Sequence, residues 1–285
     1  MIALVEDKPQ VVPLLIEAGA EVNIQDESGR TALMDAAARD EAKIFSLLLT
    51  AGANTDIQDG AGHTALIIAV KCIPLLVKAG ANTNLQNKEG DTALMKAAWM
   101  GRTEDVSMLV KAGAALDLQN KKGDSALILA TTRQHIRTVK ELVRAGADIN
   151  LQNEEELTAL MISSISGVTD ITKTLLSGGN ISIDIQTKNG WSALFFAADE
   201  GDVATTKLLL DAGADPLLRD NSGLTAVDVA SAGENDDVYG LLRNHIMTTK
   251  TLQSRVSQGT ERCEESQTFG KTSVIRLETS SREIR

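Results

Sequence analysis

The chain has 285 residues, 43% of them hydrophobic but only 2% aromatic, and a formal net charge of −11. Residues 1 to 246 carry 21 Lys and Arg against 34 Asp and Glu, or −13, an excess that repels phosphate backbones and argues against nucleic-acid binding. Two distant cysteines, Cys72 and Cys263, offer neither a disulfide framework nor a zinc site.

No apolar run approaches the ~18 residues of a membrane span, and no charged-then-apolar leader opens the sequence. A reducing, intracellular compartment is therefore expected. Residues 1 to 24 read as an incomplete unit. Aligning Gly19 with Gly52 sets Met1 level with Met34, so a turn and the start of a helix are missing ahead of it. Terminal units of an array need a complete polar outer face, which makes a fragment of a longer protein the expectation.

From there a short pattern recurs. It reads Thr31-Ala32-Leu33-Met34, Thr64-Ala65-Leu66-Ile67, Thr92-Ala93-Leu94-Met95, Ser125-Ala126-Leu127-Ile128, Thr158-Ala159-Leu160-Met161, Ser192-Ala193-Leu194-Phe195 and Thr225-Ala226-Val227-Asp228. The Thr or Ser positions are 33, 28, 33, 33, 34 and 33 residues apart. A fixed period in this range means one small supersecondary unit stacked on copies of itself. The units run 25–57, 58–85, 86–118, 119–151, 152–185, 186–218 and 219–246.

The unit 119–151 shows the design. Asn120, two lysines and Gly123 make a tight turn. Ser125 stands as an N-cap ahead of a short helix with Ala126, Leu127, Leu129 and Ala130. A polar break at Arg133-Gln134 precedes a second helix, in which Val139, Leu142 and Val143 share a face. Gly146 closes it as a left-handed cap, and Asp148-Ile149-Asn150-Leu151 forms a brief extended arm.

The 28-residue unit lacks its inter-helix turn and the start of its second helix, so a local kink or weak protection is expected near residues 68 to 76. Pro74 fits there only at the head of the shortened helix. The arm between Gly178 and Ile185 carries one extra residue, at little cost. Asp228 takes a core position in the last unit, as a water-facing cap would. Residues 247 to 285 lose the period, are rich in Ser, Thr, Arg and Glu, and read as a disordered tail.

This unit resembles the ankyrin repeat. The resemblance rests on the 33-residue period, the turn glycines Gly29, Gly62, Gly90, Gly123, Gly190 and Gly223, and second-helix endings such as Leu48-Leu49 to Ala51-Gly52-Ala53. It covers roughly residues 1 to 246. It implies an all-α solenoid of helix-turn-helix units with short β-hairpin-like arms, and a role in protein–protein contacts in cytoplasm or nucleus. Where the family has Thr-Pro-Leu-His, this chain has Thr-Ala-Leu followed by Met, Ile or Phe. The lost imidazole removes a hydrogen-bonding tie between neighbouring turns, and Met34, Met95 and Met161 are expected to fill the gap by apolar packing. The resemblance also marks Asn23, Asn84 and Asn150, in the arms, as positions where family members can be hydroxylated.

Reaction chemistry is sparse. His63, His135 and His245 lie in different units and read as isolated surface side chains. Glu154-Glu155-Glu156 reads as a solvated acidic tip, Cys72 has no evident base, and neither a P-loop nor a dinucleotide fingerprint occurs. The expectation is a non-enzyme with no cofactor and no metal site, monomeric, not bound to membrane or nucleic acid.

Stacking sets turn tips and first helices on one surface, and its non-repeating positions are the candidates for recognition. After the turn these include Arg30, His63, Asp91, Asp124, Leu157 and Trp191. At the end of the first helix they include Trp99, Met100, Arg133 and Glu200. Both tryptophans fall in this set, and Trp and Arg dominate interface hot spots. The expected site has an acidic centre at Asp91 and Asp124, and apolar anchors Trp99, Met100, Leu157 and Trp191, for a protein partner with a basic and apolar segment. Two functions fit: a scaffold or adaptor, or the regulatory or targeting segment of a larger enzyme, receptor or channel.

Overall fold

A computed structural model of the chain describes residues 9–39, 41–69 and 71–251. The expected disordered tail lies outside the described residues from 252 onward, as do Met1 and Cys263. Among the described residues all regular structure is helical. Paired helices follow the repeat: Ala32–Arg39 with Ala42–Thr50, Ala93–Trp99 with Thr103–Lys111, Ala126–Thr132 with Ile136–Arg144, Ala159–Ser166 with Thr169–Leu176, and Ala193–Asp199 with Val203–Asp211. The principal contacts join helices of one unit or of adjacent units, so the units stack in chain order. The core is a set of rows, each filled once per unit. Leu48, Leu76, Leu109, Leu142, Leu175 and Leu209 form one row down the second helices, and all are buried. With each Leu reaching only its neighbours, stability grows unit by unit rather than from one central core.

The first helices start where the sequence placed them, and all but one are capped there by a hydroxyl, Thr31 included. Thr64, Thr92, Ser125, Thr158 and Thr225 each accept the backbone N–H three residues on. Ser192 departs from this: its hydroxyl is buried and caps nothing. Met34, Met95 and Met161 are buried as expected. Two of them also serve the caps, since Met95 Sδ accepts the N–H of Thr92 at 3.4 Å and Met161 Sδ that of Thr158 at 3.5 Å.

The tie between neighbouring turns comes from a residue that the sequence reading passed over. Gln58 Nε2 donates to Gly62 O at 2.7 Å and to Gln86 O of the next unit at 2.8 Å. Gln86, Gln119, Gln152 and Gln186 repeat both bonds, and Gln25 begins the series. A second row lies in the arms. Asn23, Asp56, Asn84, Asp117, Asn150 and Asp184 each accept a backbone N–H of the following unit through Oδ1, at 2.7–3.1 Å. These two ladders replace any β pairing, because exposed arms without a partner strand satisfy their amides with side chains instead. The turns themselves close like hairpins: Asp26 N–H donates to Arg30 O and Gly29 N–H to Asp26 O, both at 2.9 Å.

Turn glycines are required twice over. Gly123 has φ +72°, and a Cβ there would sit 2.7 Å from Glu154 N of the next turn. Glu156 holds the equivalent place at φ +61°. In five other turns the next turn donates a backbone amide to a backbone carbonyl, as Lys121 does to Glu89 at 2.9 Å. Here Lys188 N–H donates to the Glu156 carboxylate, and Lys188 Nζ pairs with it at 2.9 Å. Glu156 is therefore a structural acid, where the sequence suggested only a solvated tip.

The short unit is interrupted where expected. Its first helix is one turn, Ala65–Ile68, and ends at Ala69 with ψ 132°. Its second helix is Ile73–Lys78, with Pro74 in the first turn. At the far end a helix runs over 236–251, so residues 247–251 are helical rather than part of the tail. Hydroxyls keep that turn satisfied: Thr249 Oγ1 donates to His245 O at 2.9 Å and Thr251 Oγ1 to Met247 O at 2.8 Å. Asp228 is exposed, as the sequence suggested, and it also completes a capping box, accepting Thr225 N–H at 2.8 Å and Thr225 Oγ1 at 2.7 Å. Those bonds hold its carboxyl below the usual carboxylate range.

Candidate functional site

Turn tips and first helices of the units 86–118 and 119–151 enclose a groove of roughly 320 Å³. Asp91, Asn120 and Asp124 reach it from the turns, and Met95, Trp99 and Leu129 from the helices. The two aspartates are held in place by the stacking. Asn120 Nδ2 donates to Asp91 Oδ1 at 2.9 Å, and Asn153 Nδ2 to Asp124 Oδ1 at 3.0 Å. The same asparagines fold their own turns, since Asn120 Oδ1 accepts the N–H of Lys122 and of Asp124. Each carboxylate is thus aimed by a residue that the turn already needs. Both aspartates line the groove while holding these bonds.

Trp99 forms the apolar wall and is 38% exposed. The Arg133 guanidinium lies 4.5 Å from the ring centroid. At that distance Arg133 steadies the indole by a cation–π contact. Met100, beside Trp99, is 51% exposed. His135 is half-buried rather than a loose surface side chain: its Nε2 lies 3.0 Å from Trp99 O, and its ring packs where a Cβ on Gly101 would sit. Asn235 makes the same backward tie to Ala198 O and Asp199 O, each at 2.9 Å.

The other candidate residues are distributed along the array. Arg30 pairs with Asp35 at 3.1 Å and His63 with Asp59 at 3.5 Å, both in units before the groove. Leu157 is half-buried against the core. Trp191 is also half-buried, with ring centroids 5.9 Å from Phe195 and 5.2 Å from Phe196, and its indole N–H donates to Asp220 Oδ2 at 3.3 Å. Glu200 is exposed as the C-cap of Ala193–Asp199. Asp91, Trp99 and Asp124 therefore meet in one groove, with Met100 next to Trp99 in sequence and Arg133 on its ring, while Leu157, Trp191 and Glu200 lie in later units. The orienting asparagines and the groove residues Lys96 and Leu129 were missed by sequence reasoning. Their signal is the 29-residue spacing of Asp91 to Asn120 and of Asp124 to Asn153, visible only once adjacent turns are laid side by side.

The described residues hold no cluster of His, Cys, Asp or Glu able to bind a metal, and no helix among them is long and apolar enough to cross a membrane. Cys72 is buried in the core. A family profile of ankyrin repeats, three copies long, matches residues 1–72, 70–153, 127–220 and 160–251. The chain belongs to the ankyrin-repeat family. Ankyrin repeats are generally protein-interaction modules. Over 78 residues the chain is 40% identical to a putative E3 ubiquitin-protein ligase of Arabidopsis thaliana, XBAT34, a stretch that is 27% of this chain and 21% of that protein. The match thus spans about a fifth of the relative's length.

Proposed function

We propose that the chain is a non-catalytic scaffold or adaptor that binds a protein partner along its turn tips and first helices, through a basic and apolar segment of that partner. The observation that carries this reading is the groove itself: two aspartates fixed by neighbouring asparagines share it with an exposed tryptophan that Arg133 contacts. Fixed acids beside an aromatic wall attract a cationic side chain that also carries aliphatic surface. Desolvated Trp anchors dominate such interfaces, so Trp99→Ala should weaken partner binding by ~2 kcal/mol or more with the fold intact. The measurement is affinity for a partner captured from native extract, with circular dichroism as the control for folding. Unchanged affinity removes the groove from the interface.

A second reading makes this array the targeting or regulatory segment of a larger protein. The likeness to a putative ubiquitin ligase favours it, since a binding module joined to a catalytic domain would select what that domain modifies. A longer transcript encoding a catalytic domain in frame with the array supports this reading, and a transcript ending with the present sequence counts against it.

A further inference from the structure

The recognition surface has a register. Asp91, Asp124, Leu157 and Trp191 occupy the same place in four successive units, the first position after the turn. Neighbouring units stack at about 8–10 Å, the usual spacing of packed helices. A bound segment must therefore present one side chain to this row every 8–10 Å, all on one face. A β-strand fails, because residues three apart cover that distance but point to opposite faces. A polyproline II segment meets both conditions: three residues make one turn and advance about 9.3 Å, so every third side chain returns to the same face. An α-helix brings every seventh residue back to one face after about 10.5 Å, slightly beyond that spacing.

The groove decides between the two. Its volume of roughly 320 Å³ suits a single entering side chain, and what distinguishes the two segments is how their backbones meet the groove's polar groups. Three exposed lysines line it, Lys96, Lys121 and Lys122, beside three acids, Glu89, Asp91 and Asp124. These lysines repel the cations of either kind of segment, and an α-helix offers them nothing in return, because it satisfies its own carbonyls. Polyproline II has no internal hydrogen bonds, so its carbonyls are open to donors such as lysine ammonium groups. Trp99 and the half-buried Trp191 supply the aromatic contacts that such segments use. The Arg133 guanidinium on Trp99 already shows that this indole accepts a cation.

Resting on the reading of this groove as a protein-binding site, we infer that its occupant is a polyproline II segment. Cationic side chains three residues apart meet Asp91 and Asp124, and apolar side chains continue at the same spacing onto Leu157 and Trp191. The test uses the full chain and synthetic peptides, titrated calorimetrically. The probe is Arg-Pro-Pro-Arg-Pro-Pro-Leu-Pro-Pro-Leu, made in this order and reversed because the direction of travel is open. Controls are the same composition with Arg and Leu four apart, and an alanine-rich helical peptide with them seven apart.

One direction of the probe should bind at least tenfold tighter than either control. The Asp91→Asn, Asp124→Asn double variant should lose at least tenfold and show a shallower salt dependence, while Glu104→Gln, on an exposed second-helix position, should lose nothing. Absent binding by the probe, or preference for the spacing-seven helix, overturns the polyproline assignment. It leaves the groove standing if Trp99→Ala still weakens the natural partner. Binding of the probe that ignores the aspartate substitutions overturns the assignment too.

Discussion

The units 58–85 and 86–118 are neighbours built to the same plan, yet one is five residues shorter. The missing residues fall between the helices: Ala65–Ile68 and Ile73–Lys78 stand against Ala93–Trp99 and Thr103–Lys111. The turns ignore the loss. Gln58 reaches Gln86 O at 2.8 Å across 28 residues, and Gln86 reaches Gln119 O at 3.1 Å across 33. Hydroxyl caps are equally matched, with Thr64 Oγ1 accepting at 3.3 Å and Thr92 Oγ1 at 3.2 Å. Register is therefore kept at the turn ladder, and variation in length is absorbed by the ends of the helices. The groove lies in the longer unit and the one after it, where the end of the first helix is long enough to carry Trp99 and Met100.

Core substitutions test that contrast most strongly. Leu109 and Leu76 hold the same place and both are fully buried. Leu109→Ala should cost about 3 kcal/mol and Leu76→Ala about 2, because the short helix closes more readily on the cavity. Denaturant unfolding followed by circular dichroism checks this, and equal losses would mean the short unit is packed as tightly as its neighbour. Hydrogen exchange sharpens the comparison: amides of residues 65–69 and 73–79 should exchange roughly tenfold faster than those of 93–111. Comparable rates would show that the interrupted helices open no more easily.

The turn ladder predicts the opposite pattern, equality. Gln58→Ala and Gln119→Ala each remove one bond within the turn and one to the next, and each should cost about 1 kcal/mol in the same denaturation assay. A clear difference between them would break the claim that the deletion leaves the ladder untouched.

The smallest effect concerns the arms. Burial raises the Asp184 carboxyl above its ordinary value of 3.8; the bond from Asp215 N–H opposes this and the Asp215 charge adds to it. A raised acid is disfavoured in its ionised form by the fold, so its contribution declines as pH rises from 3.8 through the folded value. Asp184→Asn keeps the carbonyl acceptor, as Asn23, Asn84 and Asn150 do in their units. It should stabilise at pH 7 by less than ~1 kcal/mol and give no gain at pH 3. Thermal unfolding at the two pH values reads the difference, and a loss at pH 7 would reverse the sign.

Much of this was legible in the residues. The Thr-Ala-Leu period placed the first helices, and the spacing of 28 placed the interruption, because local caps and short-range periodicity act within one unit. The ladders were present as letters, one Gln per unit from Gln25 to Gln186, but a residue's meaning there depends on an acceptor about 33 positions away. His135 shows the same limit. As a single letter it was a surface histidine, and in the stack it ties its unit to Trp99 O.

The sequence alone determined the family, the all-helical repeat and the acidic character, since these follow from composition and from a pattern that each unit repeats within itself. Stacking decided which letters meet: that Asn120 and Asn153 aim Asp91 and Asp124, that Arg133 steadies Trp99, and that Trp191 packs onto Phe195 and Phe196. Except for the Trp191–phenylalanine packing, which lies within one unit, these contacts join adjacent units, and only the distance and orientation between stacked units say which side chains can reach one another.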